Sequence, residues 1–185
     1  SLSDLLVFGK RAGAAAADYA KKAKNSITPD ASKLDLYQQE LTAPFTDTGN
    51  ESPSSIHKDL QKLMETDVGI IRDQEKLREA LGGLKILRER YTHIHVEGSL
   101  NYNFGWHLYI ALKFMLSIAE ITTLAALERK ESRSAQARED FPAMNPEWGK
   151  KSIIIKQNNG VPEITTEPLV AMPEELRNLL GDTLK

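Results

Sequence analysis

The stretch from Asn101 to Lys130 constrains the fold more than any other part of the chain. Phe104, Leu108, Ala111, Met115, Ile118, Thr122 and Ala125 fall on one helical stripe, and His107, Ile110, Phe114, Ile121 and Leu124 widen it. A helix apolar over so much of its circumference belongs at the centre of a bundle, between amphipathic partners. Two such partners precede it. Ser54 or Ser55 is placed to cap a helix whose apolar positions are Ile56, Leu60, Leu63 and Met64. Val68-Gly69-Ile70-Ile71 breaks that helix and Asp73 starts the next, with Leu77, Ala80, Leu81, Leu84, Leu87 and Tyr91 along one face. Gly82-Gly83 in its middle marks either a tight contact or a local weakness. Short connections between three helices imply antiparallel neighbours. The expected fold is mainly α, a three-helix antiparallel bundle of the spectrin-repeat kind.

The flanks differ from this centre. Residues 2 to 23 read as a helix, with Ser1 or Ser3 as N-cap, Asp4 in the first turn, and Lys21, Lys22 and Lys24 at the far end. Leu2, Leu5, Leu6 and Phe8 form its apolar face. Gly9, Ala12, Gly13, Ala16, Ala17 and Ala20 add a smooth stripe suited to close approach by another backbone. No initiating Met or signal-like segment precedes this helix, so the chain is expected to begin within a larger structure. A second helix is predicted from Pro29 to Leu41, followed by a connecting loop over residues 42 to 55. Beyond the bundle, Lys151 to Lys156 is a β-branched strand. Asn158-Asn159-Gly160 is a hairpin turn, and Val161 to Val170 returns as an edge strand because of Pro162 and Pro168. A short helix fits Pro173 to Leu180.

Composition excludes much chemistry. The 185 residues contain no cysteine, which removes disulfides, thiolate metal sites and cysteine nucleophiles. A formal net charge of -2 favours neither nucleic acid nor an anionic membrane. No uninterrupted apolar run of about 18 residues is present, so no direct membrane insertion is expected. GxGxxG, P-loop, GxSxG and HExxH motifs are all missing. The four histidines, His57, His93, His95 and His107, are too scattered for a convincing metal cluster. His93 and His95 read as exposed or hydrogen-bonded groups at a helix end near Arg90, and His107 as a packed histidine. The run Glu128-Arg129-Lys130-Glu131-Ser132-Arg133, with Arg138-Glu139-Asp140 after it, has two readings. It is either a solvated face laced with i,i+4 pairs or a buried set of arginines and carboxylates docking a neighbouring domain.

Several stretches together resemble one family. Ser1-Leu-Ser-Asp-Leu-Leu-Val-Phe-Gly-Lys-Arg-Ala-Gly13 resembles the "NSLLDLVVFGR-AG" helix of the flavoprotein subunit of succinate dehydrogenase and fumarate reductase. Val68-Gly-Ile-Ile-Arg-Asp73 is similar to its "GVFR" segment, and Asn103-Phe-Gly-Trp106 to its "FN-x-W". Ala119-Glu120 with Ala126-Leu-Glu-Arg-Lys-Glu-Ser-Arg133 resembles "AE…A-R-ESRG". Arg138-Glu-Asp-Phe-Pro142 with Trp148 resembles "R-DYP…W". One departure is clear: Ser134-Ala135-Gln136 stands where the family commonly has Gly-Ala-His.

The resemblance implies an FAD-dependent parent that interconverts succinate and fumarate and passes electrons to an iron–sulfur subunit. Residues 1–42 would be a helical remnant of the FAD-binding domain and a linker, 43–135 the three-helix C-terminal domain, and 136–185 a tail with a β-hairpin and short helix. Ser1 and Leu2 match the Ser-Leu pair that contacts FAD in that family. No catalytic residue or metal ligand is carried over, because the family's flavin-linking, substrate-binding and catalytic residues lie upstream. The segment is thus expected to brace the flavin domain, to be inactive and to hold no FAD by itself. Its implied partners are the FAD-binding domain of the same protein and the iron–sulfur subunit, with no nucleic acid. The implied location is the cytoplasmic side of the cell membrane, reached through partner subunits. L-aspartate oxidases and adenylylsulfate reductases share the architecture, and a free-standing helical interaction module is the alternative of a different class.

Overall fold

The computed structural model describes residues 2–23 and 30–180. Two compact units emerge, Ser1–Thr42 and Ala43–Lys185. The first contains helices α1 (Leu2–Lys22) and α2 (Ala31–Thr42). Asp4 and the pair Lys21 and Lys22 sit at the ends of α1 where the helix dipole favours them. Yet no residue of α1 or α2 is buried. A Cβ at Gly9 or Gly13 would meet nothing within 4 Å, so the smooth stripe has no close backbone neighbour among the described residues. Asp30 closes the start of α2, its carboxylate accepting hydrogen bonds from the Ser32 amide at 3.0 Å and hydroxyl at 2.7 Å. Ser1 and Pro29, assigned above to a cap and a helix start, lie outside the described residues.

The second unit is built on α3 (Pro53–Asp67), α4 (Gln74–Tyr91) and α5 (Phe104–Glu128). Their capping groups are polar side chains in extended backbone. Ser52, rather than Ser54 or Ser55, caps α3 by accepting the Ser55 amide, because Pro53 at the first helical position is already set for the helix. Asp73 caps α4 through the Lys76 amide at 2.8 Å, and Asn103 caps α5 through the Trp106 amide at 3.0 Å. The third helix therefore starts at Phe104, three residues after the Asn101 at which the expected stretch opens.

Side-chain pairs fix the directions. Tyr91 stacks on Tyr109 at 4.8 Å, Arg88 reaches Glu120, and Leu77 and Ala80 share a cluster with Ala126, so α4 and α5 are antiparallel. Arg90 pairs with Asp59 at 2.7 Å while Gly83 lies against Leu63, which makes α3 and α4 antiparallel as well. A Cβ on Gly83 would sit 2.3 Å from Leu63 Cδ1, whereas one on Gly82 would meet nothing. Of the two glycines, Gly83 makes the tight contact. The main core gathers Ile56, Leu60, Leu84, Leu87, Ile94, Val96, Tyr109, Leu112, Leu116 and Ala119. The expected three-helix antiparallel bundle is present.

One expectation is corrected. The buried stripe of α5 is Tyr109, Leu112, Leu116, Ala119, Thr123 and Ala126, not the stripe through Phe104, Met115 and Ile118. Phe104, Phe114, Met115, Ile118 and Ile121 are exposed. A helix apolar nearly all round gives no period from which to choose its inner face, and here the choice follows from what α3 and α4 present. Length and composition alone would let α5 cross a membrane. In the bundle it instead packs six residues inward and holds Glu120 in an ion pair with Arg88 at 2.6 Å.

The tail follows as drawn from the sequence. Strands β3 (Lys151–Asn158) and β4 (Val161–Pro168) pair antiparallel around Asn159-Gly160, both at positive φ, as a two-residue hairpin turn requires. Helix α6 spans Glu174–Leu180. A second pairing was not anticipated: β1 (Ile71–Arg72) and β2 (Ala137–Arg138) run parallel, tying the α3–α4 connection to the segment after α5.

Candidate functional site

Two places carry the chemistry that the sequence singles out. The first is the start of α1. Leu2 is its first described residue and is 76% exposed, with Leu5, Leu6 and Phe8 also open to solvent. The first-turn amides of a helix have no intrahelical acceptor and form the positive end of its dipole. Such an end can receive an electron-rich ring edge, with Leu2 as an apolar shoulder.

The second is a charged clasp at the far end of α5. That helix stops at Glu128, so residues 129 to 140 are not a helical face and the i,i+4 reading of the charge run does not apply. The alternative of a buried set is closer, but its partners lie within the chain. Glu131 is 0% exposed. Its carboxylate accepts from Arg129 Nε at 2.9 Å, from Arg133 Nε at 2.9 Å and Nη2 at 3.1 Å, and from the Asn145 amide at 2.8 Å. The Arg133 hydrogen bonds chiefly, then the Asn145 amide and Arg129, hold its carboxyl down to about 2 against a burial effect of opposite sign. Glu131 in turn raises the Arg133 guanidinium.

Beside it, Arg138 is 1% exposed. Its Nη1 donates to the carbonyls of Ala126 at 2.6 Å, Leu127 at 3.3 Å and Arg129 at 3.4 Å. Gln136 Nε2 donates to the Ala126 and Arg129 carbonyls as well. Ala126 and Leu127 belong to the last turn of α5, whose carbonyls have no partner within the helix, and a cation there also complements the dipole. The other edge of the Arg138 fork grips Asp140 at 2.8 and 2.7 Å, and Asp140 Oδ2 accepts the Gln74 amide at the start of α4. One arginine–aspartate pair therefore joins the negative end of α5 to the positive end of α4. Arg138 draws the Asp140 carboxyl below its usual range. Arg72, bonded to Gln136 Oε1 and to the Val68 and Gly69 carbonyls, has its pKa lowered by burial and then by the charge of Arg138.

The histidines divide differently from expectation. His93 lies 3.7 Å from Glu89 and His95 Nδ1 is 2.6 Å from the Asp47 carbonyl, each in local contacts near Arg90. His107 is exposed rather than packed, since it falls on the outer side of α5. Among the described residues no group of three or more possible ligands could hold a metal. Sequence reasoning missed Arg72 and Gln136 as members of the clasp. The available signal was the alternation of arginine and acid just past a long apolar helix, where unpaired carbonyls need donors.

With this geometry in place, comparison defines the class. The fumarate reductase flavoprotein C-terminal family matches residues 57–178, and the chain belongs to that family. Over 173 residues it is 34% identical to the fumarate reductase flavoprotein subunit of Haemophilus influenzae, covering 91% of this chain and 29% of that protein. It is 31% identical to the succinate dehydrogenase flavoprotein subunit of Rickettsia conorii, covering 83% of this chain and 26% of that protein. Mycobacterium smegmatis Sdh1 in complex with UQ1 superposes with a TM-score of 0.87 at 35% identity, over 99% of this chain and 31% of that one. The chain thus spans less than a third of the relatives it matches.

Proposed function

We propose that this chain is the C-terminal region of the flavoprotein subunit of an enzyme that interconverts succinate and fumarate, and that its own part is to brace the flavin domain. The observation that carries the reading is the family match across the bundle, clasp and hairpin. The start of α1 would lie against the flavin, with Ser1 and Leu2 touching it through first-turn amides and an apolar shoulder. FAD would supply hydride and electron transfer between the dicarboxylate and an iron–sulfur partner. The chain's residues would orient the ring and exclude water from one side of it.

The apolar groove between α3 and α5, edged by Met64, Phe114, Met115 and Ile118, offers a surface for the rest of the subunit. The UQ1 complex of the mycobacterial relative supports a place for the parent at a membrane, where partner subunits would hold it; the side we propose is the cytoplasmic one. A few hydrogen bonds at one helix end cannot offset the entropy lost on association, so the chain alone should bind no FAD. Two measurements test the proposal. Flavin fluorescence should be unchanged on titration with this chain, and stoichiometric quenching would overturn the bracing role. The purified parent subunit should carry FAD and reduce fumarate or oxidise succinate with an artificial dye, and a flavin-free parent would sink the assignment.

A further inference from the structure

A groove of about 520 Å³ beside the clasp collects positive charge that the chain leaves unanswered. Arg129, Arg133, Trp148, Gly149, Lys151 and Ile153 are among its lining residues. Arg129 and Arg133 share the single Glu131 carboxylate, and each keeps its Nη1 without a hydrogen-bond partner among the described residues. Their side chains are only 24% and 36% exposed, so water screens them incompletely. Lys151 adds a third cation. Its Nζ lies 4.4 Å from the centre of the Trp148 ring, and the Arg129 guanidinium carbon lies 5.7 Å from the same ring. Glu147 is close enough to feel Lys151, but Lys150 Nζ hydrogen-bonds it at 2.7 Å. No carboxylate lines the groove.

Three cations thus face one acid, and two of them are held on one indole although like charges repel. An anion entering the groove would relieve that repulsion and take up the free donors with charge-assisted hydrogen bonds. We propose that this groove is a binding site for a small doubly charged oxyanion, a dicarboxylate or inorganic phosphate. Arg129 Nη1, Arg133 Nη1 and Lys151 Nζ hold it beside Trp148. The excess of two positive charges sets the preferred charge of the ligand, and the forked guanidinium donors select paired oxygens over chloride. The site stands apart from the flavin assignment and does not depend on it.

Trp148 is its own reporter. The chain has two tryptophans, so Trp106→Phe leaves it alone. The full chain carrying that substitution is titrated with sodium succinate and with sodium phosphate at constant ionic strength balanced by chloride. Isothermal titration of the unsubstituted chain provides the second measurement. Saturable emission change and heat with either anion support the site, and the tighter of the two identifies the oxyanion it takes. Lys151→Ala should bind about tenfold more weakly, as expected for loss of one charge-assisted hydrogen bond. At equal anion concentration it should also show a smaller rise in melting temperature than the unsubstituted chain. A linear response to both anions, or equal affinity in a Lys151→Ala chain that melts normally, overturns the proposal.

Discussion

Helices α1 and α5 make an instructive pair. Both are long, 21 and 25 residues, and both carry more apolar surface than a solvent-facing helix needs. Six residues of α5 are buried, while none of α1 is. The difference does not lie in the quality of either pattern: Leu2, Leu5, Leu6 and Phe8 mark a face on α1 as clearly as Leu77, Leu84 and Leu87 mark one on α4. It lies in whether the same chain supplies the cover. Periodicity reports which side of a helix avoids water, and says nothing about where the covering surface is encoded. Helix α5 is also finished at its end, since Arg138 and Gln136 fill its terminal carbonyls.

The covered helix should therefore fail most severely at that end. Arg138→Met removes every donor to the α5 carbonyls from this side chain and strands Asp140. The expected loss is about 3–5 kcal/mol, as when one member of a buried charge pair is deleted. Urea unfolding followed by circular dichroism measures it, and a change under about 0.5 kcal/mol, the size of an ordinary surface substitution, would dissolve the comparison between a finished and an unfinished helix.

Glu131→Gln should cost somewhat less, about 2–3 kcal/mol at neutral pH, because the amide still accepts one of the guanidinium bonds. This loss has a pH signature. The Glu131 carboxyl is held at about 2 in the folded chain against an ordinary 4.5, so its contribution is complete above about pH 4.5 and fades as pH falls toward 2. The stability gap between the two proteins should close over that window. A gap that stays constant down to pH 2 would mean that Glu131 acts through packing rather than charge.

The clasp also shows how far the sequence could be read. The helices, their breaks at Val68 and Asp73, and the Asn159-Gly160 hairpin follow from local chemistry, since caps, glycines and β-branched runs act within a few residues. The charged run from Glu128 to Asp140 was visible as a feature, but its meaning was not. Whether Arg138 faces water or the carbonyls of Ala126 depends on a turn that brings β2 beside β1, a pairing across 66 residues between Ile71 and Ala137 that two-residue strands cannot announce. The inner face of α5 was illegible for the opposite reason, an excess of apolar positions. Leu2 could be singled out through family resemblance alone, for no local rule distinguishes it from Leu5 or Leu6.

Gly82 and Gly83 bring the comparison inside one helix. Alanine at position 82 meets open space and should stabilise the chain by about 1 kcal/mol through helix propensity. Alanine at 83 gains the same propensity but must push aside Leu63 Cδ1, 2.3 Å from the new methyl group. Overpacking of that kind costs typically 1–3 kcal/mol, so Gly83→Ala should come out about 1 kcal/mol less stable than the parent chain. Opposite signs at adjacent positions, read as shifts in the urea midpoint, would establish that α3 and α4 touch at Gly83. Equal gains at both would show that Leu63 yields freely.

The smallest effect is expected on α1. Leu5→Ser removes a large side chain that is 70% exposed, so the unfolding free energy of the chain should move by no more than about 0.5 kcal/mol. The same substitution should lower self-association detected by light scattering, because Leu2, Leu5, Leu6 and Phe8 together form an apolar stripe that can meet its own copy at high concentration. The two readings separate cleanly. A loss above about 1 kcal/mol would mean that Leu5 is buried in solution, since exposed positions do not yield that much. Unchanged stability with unchanged scattering would leave the stripe inert in the isolated chain. Unchanged stability with weaker association would show α1 to be a helix whose cover is encoded elsewhere in the parent protein.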